Sequence, residues 1–351
     1  MTQPLAGLKV LDLTTLLPGP MATLMLAAAG AEVLKVERPG GDDMRRYPPL
    51  WHGVGAAFQL LNPGRRSVTL DLKTPEGARQ LHAMLEDTDI LVEQFRPGIM
   101  EKLGFGYTTV SAAHPRLIYC SISGYGQNGQ RAQEAGHDLN YIGNTGLLAL
   151  QPGPADRPVV PPALVADIGG GTFPAVINIL LALRRRDQTG QGCRLDIAMT
   201  DAMFAFAWHA FACHSATGKA PAPGASEFVG DSPRYRLYRA RDGRIVACAA
   251  LEDHFWTRFC KIIGLAPALA DDRRDADATG RAVAALIAAR PASEWEPLFA
   301  AADCCVTIVR SLDEALADPH FVARGLFGTA REDGSLPPLP LPIAPVFRSG
   351  E

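Results

Sequence analysis

Two short apolar runs, Lys9 to Leu13 (KVLDL) and Glu32 to Glu37 (EVLKVE), flank an alanine-rich stretch, Met21 to Ala29, that Gly30 closes. Strand-length runs separated by a helix-length one cannot form a tight hairpin. They require a parallel pair joined by a right-handed crossover. The same alternation continues downstream. Arg65 to Lys73 reads as a third strand, Pro75 to Glu86 as an amphipathic helix, Ile90 to Glu93 as a fourth strand and Leu117 to Ile122 as a fifth. Arg96-Pro97-Gly98 turns the chain into a segment from Ile99 to Leu103. A long helix from Gly169 to Arg186, a strand from Leu195 to Met199 and a helix from Asp201 to Thr217 complete the series. This pattern implies an α/β fold whose large domain is an open, mostly parallel sheet with flanking helices, Rossmann-like in plan.

From Lys219 the chain turns rich in Pro, Gly, Ala and Ser, the composition of a linker. Beyond it, Tyr235 to Leu251 reads as a hairpin around Arg241-Asp242-Gly243, with helices at His254 to Ile263 and Gly280 to Ala289. The expected division is a large domain over 1–218, completed by about 326–351, a linker over 219–232, and a smaller α+β domain with its return linker over 233–325. The proline segment Pro337 to Pro342 is expected to pack back on the large domain.

Several function classes lose support at this stage. A formal net charge of -3 gives no electrostatic reason for a nucleic-acid or anionic-membrane partner. No uncharged apolar run reaches membrane-spanning length, and Arg184-Arg185-Arg186 suits the basic end of a helix. The seven cysteines include no CxxC pair, which points to reduced thiols and a cytoplasmic setting. His209, Cys213 and His214 share helical spacing but lack a fourth ligand, so no metal is expected. The turn after the first strand, TTLLPGP, lacks the glycines that admit a pyrophosphate. Gly124 to Gly129 matches GxGxxG, but polar residues follow it in place of an apolar helix. It reads as a glycine-rich loop beside the active site.

Two loop segments carry candidate chemistry: Gly136-His137-Asp138-Leu139-Asn140-Tyr141 and Ala166-Asp167-Ile168-Gly169-Gly170-Gly171. Taken singly, a loop histidine is more often structural, and an Asp before a helix is more often an N-cap. The succession VERPGG (36–41), NPGRRSVTLDLK (62–73), FRPG (95–98), SGYGQNG (123–129), GHDLNY (136–141), ADIGGG (166–171) and ADPHFVARG (317–325) resembles the CaiB/BaiF family, the family III CoA-transferases and their racemase relatives. Gly-His-Asp at 136–138 is similar to the α-methylacyl-CoA racemase branch, where transferases typically carry Tyr or Phe after the glycine.

The resemblance implies a 1,1-proton transfer on a 2-methylacyl-CoA thioester, with His137 and Asp167 as the two acid/base groups and Glu252 in contact with the histidine. It further implies that Arg38, Lys73, Arg96 and Lys102 contact the CoA moiety, that Tyr141 walls the acyl site, and that no cofactor beyond the thioester is needed. An interlocked homodimer is implied as well. Two alternatives stand beside it: CoA transfer with Asp167 as covalent nucleophile, and a noncatalytic acyl-CoA-binding protein. One tension is inherent. Asp167, placed just ahead of a helix start, should be held ionised by backbone N–H groups and the helix dipole, whereas an acid must be protonated.

Overall fold

Each of the expected apolar runs forms a strand, and the strands pair in parallel: β1 (Lys9–Leu13), β2 (Glu32–Glu37), β3 (Arg66–Thr69), β4 (Ile90–Glu93), β5 (Ile118–Ser123) and β6 (Cys193–Ala198). The computed structural model describes residues 3–151, 159–328 and 336–342. The six strands lie in the order β3-β2-β1-β4-β5-β6. This is the doubly wound order, in which the winding direction reverses between β1 and β4. Loops leaving those two strands therefore diverge and open a crevice at the carboxyl edge of the sheet. Val10, Leu11, Ile90, Leu91, Val92 and Ile118 are buried, as expected of strands covered on both faces.

The helices differ from the sequence reading in ways that proline and glycine explain. Helix α1 runs Pro18–Ala28, starting ahead of Met21, because prolines are tolerated in a first turn whose N–H groups have no intrahelical partner. Helix α2 (Pro75–Leu85) is capped by Thr74, whose hydroxyl accepts the Gly77 N–H at 3.1 Å, and buries Leu81 and Leu85. The third strand stops at Thr69, since the chain then turns at Asp71, whose carboxylate accepts the Lys73 N–H at 3.1 Å.

The expected helix from Gly169 begins earlier, as a wide π turn over Ala166–Thr172 that runs into a regular helix at Phe173–Thr189. Pro174 offers no N–H and would crowd the carbonyl four residues back, and the wider turn absorbs both defects. The glycines of that turn permit close approach: a Cβ on Gly170 would lie 2.1 Å from the Met199 carbonyl oxygen, and one on Gly171 would lie 2.9 Å from Pro18. Ala166–Thr189 is long and apolar enough by length and composition to cross a membrane. Within the fold, Ala175 and Ile179 are fully buried and Arg186 at its basic end pairs with Asp89 at 2.9 Å. The segment expected as one helix from Asp201 to Thr217 is two, Met203–Phe206 and Trp208–Thr217.

The described residues divide into two compact units. The first comprises those within Met1–Thr145, Pro161–Phe206 and Gly325–Glu351, and the second those within Gly146–Val160 and Ala207–Arg324. The division thus falls after Phe206, ahead of the Lys219 segment. In the second unit, β7 (Tyr235–Arg239) and β8 (Ile245–Ala249) form the hairpin, with Gly243 at φ 84° in its turn. A short strand, β9 (Val306–Ile308), pairs with the other side of β8. Helices over Asp253–Ile263, Ala276–Ala288 and Ala292–Ala302 belong to this unit, whose core includes Trp256, Phe259, Ile287 and Trp295.

Candidate active site

The crevice at the carboxyl edge of the parallel sheet is a cleft of ≈ 460 Å³. Thr15, Leu16 and Pro18 reach it from the end of β1, Gln94 to Pro97 from β4, Ser123 and Gly124 from β5, and Met199 from β6. Gly136, His137, Asn140, Tyr141 and Asp167 complete the lining. The two residues separated in sequence as His137 and Asp167 therefore face one space in the first unit.

His137 is held by its backbone. It is the N-cap of a short helix, α3 (Asp138–Asn144); its N–H donates to Asn140 Oδ1 at 3.0 Å, and its carbonyl accepts from Asn140 N at 2.8 Å and Tyr141 N at 3.2 Å. The Tyr141 hydroxyl donates to the Gly136 carbonyl at 2.5 Å, and its ring fills the space beside Gly124 and Gly136. A Cβ on Gly124 would sit 2.5 Å from that ring, so the first glycine of the GxGxxG string makes room for Tyr141. The same loop is tied to β6 by the Gln127 N–H, which donates to the Asp196 carboxylate at 3.0 Å. With its backbone fixed, His137 stands exposed in the cleft lining.

Asp167 lies inside the first turn of the π segment, half-buried. The helix start is already occupied: the buried Asp138 carboxylate accepts the Ala166 N–H at 2.7 Å and the Asp167 N–H at 3.0 Å through Oδ1. The Ala166 and Asp167 N–H groups at this helix start thus serve Asp138. Burial first, and then the Asp138 charge, push the Asp167 carboxyl up to about 6, against a smaller opposing pull from His137. The same occupancy takes those two N–H groups out of use as donors to a thioester oxygen. Burial, with the Asp167 charge behind it, also pushes the Tyr141 phenol up to about 12.

Of the four cations expected to contact CoA, Arg96 lines the cleft, as does Tyr141, the expected wall of the acyl site. Arg38 follows β2 at the carboxyl edge, exposed and paired with Asp43 at 2.7 Å. Lys73 follows β3 at that edge and is exposed. Lys102 ends the short helix Ile99–Lys102, exposed and outside the cleft lining. Glu252 lies in the second unit as N-cap of the Asp253–Ile263 helix, where its carbonyl accepts the Trp256 N–H at 3.0 Å. No group of metal-ligating side chains occurs among the described residues, and His209 Nδ1 lies 3.1 Å from the Ser226 hydroxyl and 4.0 Å from Cys213 Sγ.

Asp138 is structural, as its place in the sequence suggests, but the sequence reading missed its partner, a helix start 28 residues away, and it missed that the buried Glu93 accepts the Phe95 N–H at 2.8 Å. A carboxylate at the first position of a helix and another at a strand end are visible in sequence, but their partners are not.

The family model for CoA-transferase family III matches residues 5–351. The chain is 34% identical to the alpha-methylacyl-CoA racemase of Homo sapiens over 98% of its length and 89% of that protein. It is 36% identical to the acetyl-CoA:oxalate CoA-transferase of Acetobacter aceti, over 92% of its length and 85% of that protein. A crystal structure of a CaiB/BaiF family protein from Brucella suis superposes with a TM-score of 0.82 at 31% identity, covering 98% of this chain and 93% of the other.

Proposed function

The chain belongs to CoA-transferase family III, and from that premise we propose that it epimerises 2-methylacyl-CoA thioesters by 1,1-proton transfer. The observation that carries this reading is the meeting of His137 and Asp167 in one cleft, with the Asp167 carboxyl raised to about 6. An α-proton beside a thioester is weakly acidic, so its removal needs a base on one face and an acid on the other. His137 takes the proton from the α-carbon, the C–H electron pair moves into the enolate, and protonated Asp167 returns a proton to the opposite face. The reverse direction starts from ionised Asp167 and protonated His137. A carboxyl near 6 is available in both forms close to neutrality, which such reversibility requires.

Arg38, Lys73, Arg96 and Lys102 are assigned to the phosphates of CoA, and Tyr141 to the wall of the acyl site. Glu252 is assigned to orient the imidazole, supplied by either protomer of an interlocked cytoplasmic homodimer. In deuterated water, a single-epimer 2-methylacyl-CoA should lose its configuration and gain one deuterium at the α-carbon. Asp167→Asn should lower both rates by at least about a hundredfold. Unchanged exchange in that variant would sink the assignment.

The similarity to an acetyl-CoA:oxalate CoA-transferase favours a second reading. There Asp167 attacks the thioester carbonyl, expels the CoA thiolate and carries the acyl group as a mixed anhydride. Hydroxylamine trapping of an acyl-enzyme on Asp167 during turnover would decide for transfer.

A further inference from the structure

Buried carboxylates stand at the upper ends of neighbouring strands of the parallel sheet, and most of them have cations. Asp12 on β1 pairs with Arg65 at 3.1 Å, and Glu37 on β2 takes Arg45 at 2.5 Å. Glu93 on β4 differs. It is 3% exposed, and no ion pair among the described residues includes it. Its Oε2 accepts the N–H of Phe95, two residues on, at 2.8 Å. Between those two residues and just after them come Gln94 and Arg96, both in the cleft lining. The far side of this turn is held separately: Gln94 Oε1 accepts the Gly19 N–H at 3.1 Å, and the Pro97 carbonyl accepts from Gln133 Nε2 at 2.9 Å.

We infer that Glu93 is a positioning residue for substrate binding: its carboxylate closes the turn at the top of β4 and thereby aims Arg96 into the cleft. The inference rests on the reading of Arg96 as a CoA contact. Glutamine at this position would offer the same carbonyl acceptor with no charge to bury, so what the carboxylate adds is a stronger, charge-assisted bond to the loop N–H. The surroundings show the cost of placing it there. Burial, aided by Glu101, pushes its carboxyl up to about 7, against the Ser121 hydroxyl, the Phe95 N–H and Arg194, which favour the ionised form. A costly ionisable group that directs a cleft loop is better explained by binding than by packing.

The test is a double-mutant cycle on Glu93 and Arg96, read as the Kd for acetyl-CoA by calorimetry and as KM and kcat for α-proton exchange. Glu93→Ala should weaken acetyl-CoA binding roughly tenfold or more, the equivalent of one charge-assisted bond. It should raise KM in parallel and leave kcat within about twofold, because His137 and Asp167 stand on other elements. Glu93→Gln keeps an acceptor without the charge and should recover only part of the loss. In an Arg96→Ala background, Glu93→Ala should cost no further affinity, since the residue through which it acts is gone. Additive losses, a fall in kcat at unchanged KM, or native affinity in Glu93→Ala would each overturn the inference. Should Glu93→Ala fail to fold, the cycle of Glu93→Gln with Arg96→Ala carries the same comparison. A native protein that binds no acetyl-CoA would instead remove the assignment of the cleft to CoA.

Discussion

Asp138 should be the residue on which the geometry of the acid depends, although it takes no part in the chemistry. Its carboxylate is 5% exposed and accepts two N–H groups, at 2.7 and 3.0 Å, from a turn that holds the fully buried Ala166 and, beside it, Asp167. A hydrogen bond to a charged group contributes about 1.5–3 kcal/mol, and a buried donor left unpaired costs a similar amount. Asp138→Ala therefore removes two such bonds and should destabilise the π turn by roughly 3–5 kcal/mol. Asp138→Asn retains a neutral acceptor and should lose about half of that. The local assay is amide hydrogen exchange at Ala166 and Asp167, which should accelerate by about two to four orders of magnitude in the alanine variant, as that free-energy loss requires. The second readout is the pH dependence of α-proton exchange. Asp167 is raised, so the direction that uses it as acid loses rate as pH climbs through about 6, and the direction that uses it as base loses rate as pH falls through the same point. Removing the Asp138 charge should move both limbs to lower pH. Native protection in Asp138→Ala, or limbs unmoved in Asp138→Asn, would refute the reasoning.

Two other substitutions probe the supports of the cleft. Gly124→Ala would place a methyl 2.5 Å from the Tyr141 ring, so it should cost about 1–3 kcal/mol of stability and displace the hydroxyl that holds the Gly136 carbonyl. Denaturant midpoints and exchange rates should fall together, and native values for both would contradict the packing described. Arg65→Ala leaves the buried Asp12 without its cation and should destabilise the first unit by roughly 3–5 kcal/mol, measured by urea unfolding. A loss under about 1 kcal/mol would mean that the hydroxyls of Thr14 and Thr23 suffice for Asp12.

The parallel sheet was legible because each strand is a short apolar run bounded by turn residues, and both acid/base candidates stood out as titratable groups in glycine-rich segments. The three-residue β9 carries too little periodicity to be seen, and Ala292–Ala302 contains Pro297, which argues against a helix until its place in the structure is known. Of the two opposing influences on Asp167, burial outweighs the helix start. A helix start looks like a free set of donors until the side chain that fills it is located, and Asp138 lies a whole loop away. Glu93 escaped notice because a strand-end carboxylate looks solvated in sequence, whereas in the fold it is 3% exposed.

Two strand ends and the turn after a third share one local device: Asp12 takes the N–H of Thr14, Glu93 that of Phe95 and, past β3, Asp71 that of Lys73, each two residues on. Each rim loop is thus launched locally, and the loop after β4 is then tied on its far side to Gly19 and Gln133. A laboratory seeking a different acyl or CoA-ester preference could exchange that loop as a cassette, provided the launching carboxylate travels with it and both ties are kept. The Asp138 tie to the π turn is long-range and cannot be moved piecemeal, so diversification of this cleft should proceed from the rim while the wall that carries His137 and Asp167 stays fixed.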